Sequence, residues 1–278
     1  ASAYGGVSPR LKNYFGIATA CCDDGPSGMR LDSGAKAFSL PNGTSLACTF
    51  NRQLVKELYS FTGLEMQSNK VDNLLGPGMN IHRHPLNGRN FEYFSEDPYL
   101  TGEMATAMLQ GLWSQGVTGT IKHFCGNNQE TNRRNHNSVI SERALREIYL
   151  KGFEIAVANG ADSVMTTYGL VNGVYTAGSY DLNTTILRNE WGFRGIVMSD
   201  WWADANVEGE EPNVFCHAPM VMAQNDLFMV CDDATDIELD DVWSKLNSGG
   251  IFRCELQRNA KNILEFILKS PAMLDRKS

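Results

Sequence analysis

The residues with the clearest capacity for chemistry stand where short apolar runs of the sequence end. Asp200 ends one such run, between Ser199 and Trp201, and Asp24 follows another. An aspartate carboxylate can act as a nucleophile or a base, and it also accepts hydrogen bonds from hydroxyl groups. A strand-end aspartate is equally typical of a cap for the following helix, so Asp200 by itself does not decide between these roles.

Cations, aromatic rings and one methionine occupy equivalent positions at or shortly after the ends of the apolar runs. They are Arg30, Arg89, Lys122, His123, Met165, Tyr168, Trp201 and Trp202. Some have a structural alternative, because Lys122 with His123 is typical of a buried hydrogen-bonded pair and Met165 is typical of a core. Gathered at one place, carboxylates, cations and aromatic rings suit a polyhydroxylated ligand, since aromatic faces pack on the C–H patches of sugar rings.

Two further groups have side chains that can take part in metal or thiol chemistry. His82 and His84 are separated by Arg83, a cation, and no third ligand stands at a suitable spacing. Cys125 follows His123 closely, but no constellation of basic residues is placed to activate its thiol. We therefore expect no metal site and no organic cofactor, and we expect Cys125 to be structural.

The elements that must position these residues alternate between buried strands and amphipathic helices. Strands are predicted at 15–21, 74–81, 119–124, 161–168, 195–200 and 226–230. Helices are predicted at 51–68 with Leu54, Leu58 and Phe61 at helical spacing, from Asp97 and Pro98 to Gly116, from Ser141 to Gly160 with Leu145, Ile148, Tyr149 and Ala156 inward, and in a tail helix that Pro271 ends. Such repeated strand–helix units indicate a parallel sheet covered by helices.

The fold class that we expect is α/β, a parallel (β/α)8-type barrel with an irregular N-terminal end. A single catalytic barrel domain would cover residues 1–278, although fewer than eight strands are clear. An open doubly wound sheet fits the same alternation, but no G-x-G-x-x-G motif or P-loop follows the first strand. In a parallel barrel the carboxyl ends of all strands meet at one mouth, so the polar residues converge there.

Composition excludes other classes of protein. The net charge is −8 and the isoelectric point is about 5.2, so the basic surface that nucleic acids require is lacking. No apolar run approaches the length of a membrane span. The seven cysteines include adjacent Cys21 and Cys22 and form no C-x-x-C motif, so we expect no disulfide framework and a reducing, cytoplasmic location.

Several segments together resemble glycoside hydrolase family 3, and the resemblance covers nearly the whole chain. The segments are DGPSGMR (24–30), LACTFN (46–51), GPGMNIHRHPLNGRNFEYFSEDP (76–98), IKHF (121–124), NNQETNRR (127–134), SVMTTYGLVNG (163–173) and GFRGIVMSDWW (192–202). Each segment alone is weak, whereas all of them in this order are highly specific. The β-glucosidase branch of rumen-type bacteria is the part of the family that the sequence resembles most.

The resemblance implies a retaining, exo-acting β-glycosidase, most specifically a β-glucosidase, that acts through a covalent glycosyl-aspartate. Asp200 would be the nucleophile, and Asp24, helped by Arg30, would bind the distal hydroxyls of the sugar. Further contacts to the sugar are implied for Arg89, Lys122, His123, Met165, Tyr168 and Trp201. The physics agrees with this assignment, because Arg89 and Lys122 near Asp200 would keep its carboxylate ionised.

The catalytic acid/base is where the sequence departs from the family. One branch uses a histidine within K-H-F-P-G-H-G-D, but residues 122–130 read KHFCGNNQE and His136 lacks that context. In the glucosidase form the acid/base is a glutamate of a separate α/β sandwich domain, which is the expected protein partner and is not in this chain. Glu92, Glu96 and Glu130 are interpreted as hydrogen-bonding residues.

The sequence also bears on two functions other than glycoside hydrolysis. A carbohydrate-binding barrel without turnover would explain a missing acid, but binding alone does not require a nucleophile at position 200. A nucleotide-dependent oxidoreductase is excluded by the missing phosphate-binding loop.

Overall fold

The computed structural model describes residues 2–5, 9–207, 209–229 and 240–274. In this part of the chain the strands are β1 (Ser2–Gly5), β2 (Ala20–Asp24), β3 (Asn73–Leu75), β4 (Thr118–Gly119), β5 (Ile121–Phe124), β6 (Asn137–Ser138), β7 (Ser163–Thr166), β8 (Leu170–Val171), β9 (Val174–Tyr175) and β10 (Ile196–Met198). The α-helices are α1 (Pro9–Phe15), α2 (Gly43–Ala47), α3 (Arg52–Ser68), α4 (Pro98–Trp113), α5 (Glu142–Ala144), α6 (Lys151–Ala158), α7 (Ala218–Met222), α8 (Val242–Ser248), α9 (Arg253–Ile267) and α10 (Pro271–Leu274). Two π-helical segments, Leu145–Tyr149 and Asp181–Glu190, and a 3₁₀ turn at Thr176–Gly178 complete the helical structure of this part.

The main strands run parallel and follow one another in chain order. β2 pairs with β3 and β3 with β4, while β5 pairs with β7 and β7 with β10. Isolated parallel bridges continue this series, from Gly78 to Lys122 and from Met198 to Leu227. Helices connect successive strands, as parallel pairing requires. The predicted α/β fold with parallel strands is therefore confirmed.

The predicted closure into a barrel is not seen in the described residues, where no pairing joins the two ends of this strand series. At the N-terminal edge, β1 was not predicted, and it runs antiparallel to β2. The strand predicted at 226–230 is reduced to the bridge at Leu227, and residue 230 lies outside the described part. A start of the first strand at residue 15 was wrong, because Phe15 ends α1 and Gly16, at φ +66°, follows it in the left-handed region.

Helix α3 occupies the predicted range, but its buried face was predicted wrongly. Leu54 and Phe61 are exposed, whereas Val55, Tyr59 and Met66 are buried. The buried row of residues is offset by about one position from the predicted row. Contact with α4 decides which of the two rows is buried. A Cβ atom at Gly111 of α4 would stand 2.4 Å from the Lys56 carbonyl oxygen, so the helices touch along this side.

The helix predicted from Ser141 to Gly160 is interrupted by the π-helical turn Leu145–Tyr149. The wider turn changes the facing of the residues within it, so Ile148 is 40% exposed although the helical spacing placed it inward. Gly160, at φ +105°, follows the helix, so the helix ends where the sequence predicted. Pro271 does not simply end the tail helix, because it begins α10.

Two apolar clusters relate the core to the parallel strands. The larger one packs α3, α4 and α6 against the strands, with Phe124, Met108 and Phe153 among its fully buried members. A smaller cluster consists of Cys22, Leu75, Met165, Met198 and Met229, with Trp201 and Leu227 packed against it. Because Leu75, Met165 and Trp201 also line the cavity described below, this cluster forms the apolar floor of that cavity.

The cysteines of the described residues carry free thiols, with Cys21, Cys22, Cys125 and Cys216 buried and Cys48 and Cys254 exposed. Cys231 lies outside the described part of the chain. Within the described residues, no helix is both long and apolar enough to cross a membrane.

Candidate active site

A cavity of about 450 Å³ lies at the C-terminal ends of the parallel strands. Its lining residues are Asp24, Arg30, Leu75, Arg89, Lys122, His123, Arg133, Met165, Tyr168, Asp200 and Trp201. The structure thus brings together the residues that the sequence analysis named for the site, except Trp202, which is 38% exposed and packs edge-on against Phe215 outside the cavity. Leu75 and Arg133 were missed, although Leu75 lies near the start of the strand predicted at 74–81 and Arg133 lies within the NNQETNRR segment.

Asp200 is presented by the turn that follows the buried strand β10. Two hydrogen bonds hold the turn against residues 227–229. The Ser199 N–H donates to the Leu227 carbonyl (3.0 Å), and the Met229 N–H donates to Ser199 Oγ (2.9 Å). Asp200 Oδ1 accepts a hydrogen bond from the Trp201 N–H (2.8 Å). No helix begins within residues 201–207, so the helix-capping alternative for Asp200 is wrong.

Neutral donors surround the Asp200 carboxylate. The Tyr168 hydroxyl donates to it, and His123 Nε2 lies 3.7 Å from Asp200 Oδ2. Burial raises the pKa of Asp200 above its ordinary value, while the Trp201 N–H and the charges of Lys122 and Arg89 act in the opposite direction. The two cations favour ionisation, as expected, but burial is the larger effect, so the carboxylate is more basic than a free aspartate.

Tyr168 is held in place by two guanidinium groups that face its ring. The Arg133 and Arg134 guanidinium carbons lie 4.5 and 4.8 Å from the ring centroid, respectively. Arg133 pairs with Glu130 (3.1 Å) and Arg134 with Asp204 (3.1 Å). These cation–π contacts fix the phenol ring, and hence the direction from which its hydroxyl reaches Asp200.

The opposite wall of the cavity is a network of ion pairs. Lys122 Nζ lies 3.0 Å from Asp24 Oδ1 and 3.4 Å from Glu92 Oε1. Arg89 donates from Nε and Nη2 to the two Glu92 oxygens at 2.7 and 2.9 Å. Burial raises the pKa of Asp24, but Lys122 and Arg30 together outweigh it, so the net pKa lies below its ordinary value. Asp24 is therefore a stable anion that can accept hydrogen bonds from a ligand.

His123 is fixed through its backbone as well as by burial. Asn80 accepts from the His123 N–H (2.9 Å) and donates to the His123 carbonyl (2.9 Å). Burial, followed by the charges of Arg89 and Lys122, lowers the pKa of His123 well below its ordinary value. The imidazole is therefore neutral at pH 7, and its contact with Asp200 is not an ion pair.

The residues with side chains suited to metal, acid or thiol chemistry lie outside the cavity. His82, His84 and His136 do not line the cavity, and His84 Nδ1 accepts from the Leu86 N–H at 3.1 Å. Burial raises the pKa of the Cys125 thiol to about 12, the opposite of what a nucleophilic thiol requires. Across the described ranges, no group of three or more His, Cys, Asp or Glu residues is arranged to hold a metal ion.

Comparison with known proteins identifies the family of the chain. It is 64% identical over 274 residues to a β-glucosidase from Ruminococcus albus, covering 98% of this chain and 29% of that protein. Its fold is similar to that of a β-glucosidase from Paenibacillus barengoltzii (TM-score 0.94, 54% identity, 98% of this chain and 30% of the other). It is also similar to β-glucosidase 3B from Thermotoga neapolitana in complex with glucose (TM-score 0.86, 39% identity, 98% and 38%).

The chain therefore spans less than two fifths of the length of these relatives. Residues 11–266 match the family described as "Glycosyl hydrolase family 3 N terminal domain". With this match and these identities, the chain belongs to glycosyl hydrolase family 3.

Proposed function

We propose that the protein is a retaining, exo-acting β-glycosidase, most specifically a β-glucosidase, with Asp200 as its nucleophile. One observation carries this proposal: a buried, basic carboxylate at a strand end, oriented by Tyr168 and the Trp201 N–H, faces a cavity with polar walls and an apolar floor. Relatives named β-glucosidases and a relative in complex with glucose favour glucose as the sugar.

The reaction takes place in two displacements. An Asp200 carboxylate oxygen attacks the anomeric carbon of the terminal sugar, the bond to the leaving oxygen breaks, and an acid protonates that oxygen. Water then attacks the anomeric carbon of the glycosyl-aspartate, the same group removes its proton as a base, and the Asp200 carboxylate is released. The configuration of the sugar is retained because the carbon is inverted twice.

The ion-pair wall binds the sugar and stabilises the transition state. Asp24 and Lys122 face the cavity with an acceptor and a donor at 3.0 Å from each other, which suits adjacent hydroxyls of one ring. Arg89 adds a second cation, held by Glu92. Trp201 and Met165 supply the apolar surface for the C–H face of the ring. Contacts to hydroxyls that strengthen as the ring flattens act on the rate as well as on affinity.

The acid/base is proposed to lie outside residues 1–278, on an α/β sandwich domain. Within the described residues the carboxylates that line the cavity are Asp24 and Asp200. Asp24 has a lowered pKa, so it is ionised at neutral pH and has no proton to give to a leaving group. Glu92 does not line the cavity, and its carboxylate is engaged by Arg89 and Lys122. Residues 1–278 would then form one (β/α)8-type catalytic domain of a cytoplasmic enzyme, without a metal or organic cofactor.

Trapping of the glycosyl-enzyme tests the proposal directly. The chain is incubated with 2,4-dinitrophenyl 2-deoxy-2-fluoro-β-glucoside, and its mass and peptides are then measured. We expect one fluoroglucosyl adduct on Asp200, none in Asp200→Asn, and a normal adduct in Asp97→Asn, where asparagine still caps α4 away from the cavity. An adduct on another residue would overturn the assignment. Glucose binding without any adduct would favour the carbohydrate-binding alternative.

A further inference from the structure

A buried tyrosine lies behind His123, on the side away from Asp200. The Tyr93 side chain is fully buried, and its hydroxyl lies 3.1 Å from His123 Nδ1. On the other side of the imidazole, Nε2 points to Asp200 at 3.7 Å. The two ring nitrogens therefore have different partners, and the position of the single proton of a neutral imidazole decides what His123 presents to the cavity.

The direction of the hydrogen bond between Tyr93 and His123 follows from the next residue in the network. Asn127 Nδ2 donates to the Tyr93 hydroxyl oxygen (2.8 Å) and to Glu130 Oε1 (2.9 Å). The opposite orientation of the Asn127 amide would place its oxygen against the Glu130 carboxylate, so Glu130 fixes which end of the amide donates. Tyr93 accepts from Asn127, and its own proton is directed to His123 Nδ1.

This leaves one position for the proton of His123. Nδ1 accepts from Tyr93 and is bare, so a neutral imidazole carries its proton on Nε2. A doubly protonated ring would place an N–H against the Tyr93 proton. Burial and the charges of Arg89, Lys122 and Arg133 also disfavour that form, since they lower the pKa of His123.

We propose that Tyr93 is a positioning residue that fixes the Nε2–H tautomer of His123, so that a neutral N–H donor faces Asp200 and the bound sugar. The network runs from Glu130 through Asn127 and Tyr93 to His123, and each member donates or accepts in one direction. The role toward the nucleophile rests on the proposed function, whereas the tautomer itself follows from the contacts alone.

The tautomer decides whether the contact between His123 Nε2 and the Asp200 carboxylate is attractive or repulsive. With the proton on Nε2, His123 stabilises negative charge on Asp200 Oδ2 or donates to a sugar hydroxyl. With the proton on Nδ1, the Nε2 lone pair would face the carboxylate and repel it. Loss of the Tyr93 hydroxyl removes the bias between these two forms while leaving the imidazole in place.

The test is nitrogen-15 NMR of the 278-residue chain with its five histidines labelled. The His123 signals are assigned by their loss in His123→Gln. We expect a protonated Nε2 and a bare Nδ1 in the wild type at pH 7. We expect a mixture of tautomers in Tyr93→Phe, and no change in Tyr59→Phe, which removes the hydroxyl of another fully buried tyrosine bonded to the Pro26 carbonyl.

A second variant reverses the network and keeps the proposal testable if Tyr93→Phe does not fold. In the double variant Asn127→Asp, Glu130→Gln, residue 127 accepts and residue 130 donates. The Tyr93 proton then turns toward residue 127, and we expect the proton of His123 to move to Nδ1. A wild-type proton on Nδ1, an imidazolium at pH 7, or a double variant that keeps the Nε2 proton would each overturn the proposal.

Glycosylation by the dinitrophenyl glycoside separates this proposal from the proposed function. Loss of one oriented hydrogen bond predicts that Tyr93→Phe is slower by on the order of tenfold, mainly in kcat. If the tautomers change as expected but the wild type forms no adduct, the proposed function fails and the network stands. If the adduct forms and Tyr93→Phe changes neither the tautomer nor the rate, the positioning role fails alone.

Discussion

Two walls of the cavity each present an aspartate at the end of a strand, and the two carboxylates have opposite properties. Asp24 lies 3.0 Å from Lys122 and 3.4 Å from Arg30, and its pKa is lowered. Asp200 receives its hydrogen bonds from the Trp201 N–H and the Tyr168 hydroxyl, which are neutral, and burial raises its pKa.

The difference assigns the two carboxylates to different tasks. A carboxylate that is paired with cations is a weak base, and it is suited to hold a hydroxyl without reacting. A buried carboxylate with neutral donors keeps a more basic lone pair, which favours attack on carbon. The same residue type thus provides a binding group and a nucleophile within one cavity, because the neighbours differ.

The largest effect is expected from removal of the charge of Asp200. Asparagine at position 200 keeps the shape of the side chain but cannot form a glycosyl ester, so Asp200→Asn should lower glycosylation by the dinitrophenyl glucoside by about three powers of ten or more. The rate is measured by the burst of dinitrophenolate, with circular dichroism as the check on folding. A variant with a rate near that of the wild type would show that Asp200 is not the nucleophile.

The next effect follows from the proposal that the acid/base lies on a separate α/β sandwich domain. A dinitrophenolate leaves without protonation, whereas the alkoxide of a disaccharide does not. The chain alone should react with the aryl glucoside and fail on cellobiose, and an added α/β sandwich domain should restore cellobiose hydrolysis and accelerate release of glucose from the enzyme. Equal cellobiose rates with and without that domain would place the acid within this sequence, and His136 and Glu130 would be the first residues to mutate.

The ion-pair wall should contribute less than the nucleophile, but to the rate as well as to binding. We expect Asp24→Ala and Lys122→Ala to lower kcat by on the order of a hundredfold, because contacts to the sugar hydroxyls strengthen in the transition state. Steady-state kinetics on the aryl glucoside separates kcat from KM. A rise in KM with unchanged kcat would reduce either residue to uniform binding of substrate.

The sequence predicted which residues line the two walls better than it predicted their surroundings. Strand-end positions and motif residues identified the members of the cavity, because parallel strands bring their carboxyl ends together whatever the exact strand limits. The upward pKa shift of Asp200 was not predicted, since it depends on how deeply the side chain is buried. Arg133 and the network behind His123 were missed because their contacts join segments distant in sequence.

Elements of the fold were predicted best where local signals were strong. The Asp97 cap followed by Pro98 located the start of α4 correctly. The face of α3 was predicted wrongly because two adjacent stripes are similarly apolar, and contact with α4 decides between them. The antiparallel strand β1 carried no periodic signal in the sequence.

A pH profile sharpens the comparison at the nucleophilic wall. Glycosylation requires ionised Asp200, and its pKa is raised in the folded protein. As the pH falls through this raised pKa, the rate with the aryl glucoside should decline, at a higher pH than for an ordinary aspartate. Asp24 should not produce this limb, because its lowered pKa keeps it ionised there. The pH dependence of the burst rate measures the limb, and a rate that stays constant down to the ordinary aspartate pKa would contradict the assigned environment of Asp200.

The smallest effect is one of stability, and it has opposite signs on the two walls. A carboxyl whose folded pKa is raised binds its proton more tightly in the folded state, so its ionisation at pH 7 destabilises the fold. Replacement by the neutral amide in Asp200→Asn should therefore increase the free energy of unfolding at pH 7.

Asp24 behaves in the reverse way, because its folded pKa is lowered and its charge stabilises the fold at every pH above the unfolded pKa. Asp24→Asn should decrease the free energy of unfolding, by less than about 1 kcal/mol since the side chain is 35% exposed. The loss should disappear as the pH is lowered through the pKa of Asp24. Urea unfolding of both variants at pH 7 and at a series of pH values below the ordinary aspartate pKa of 3.8 measures these changes. A change of the same sign at pH 7 in both variants would show that the two carboxylates do not differ in the way their surroundings indicate.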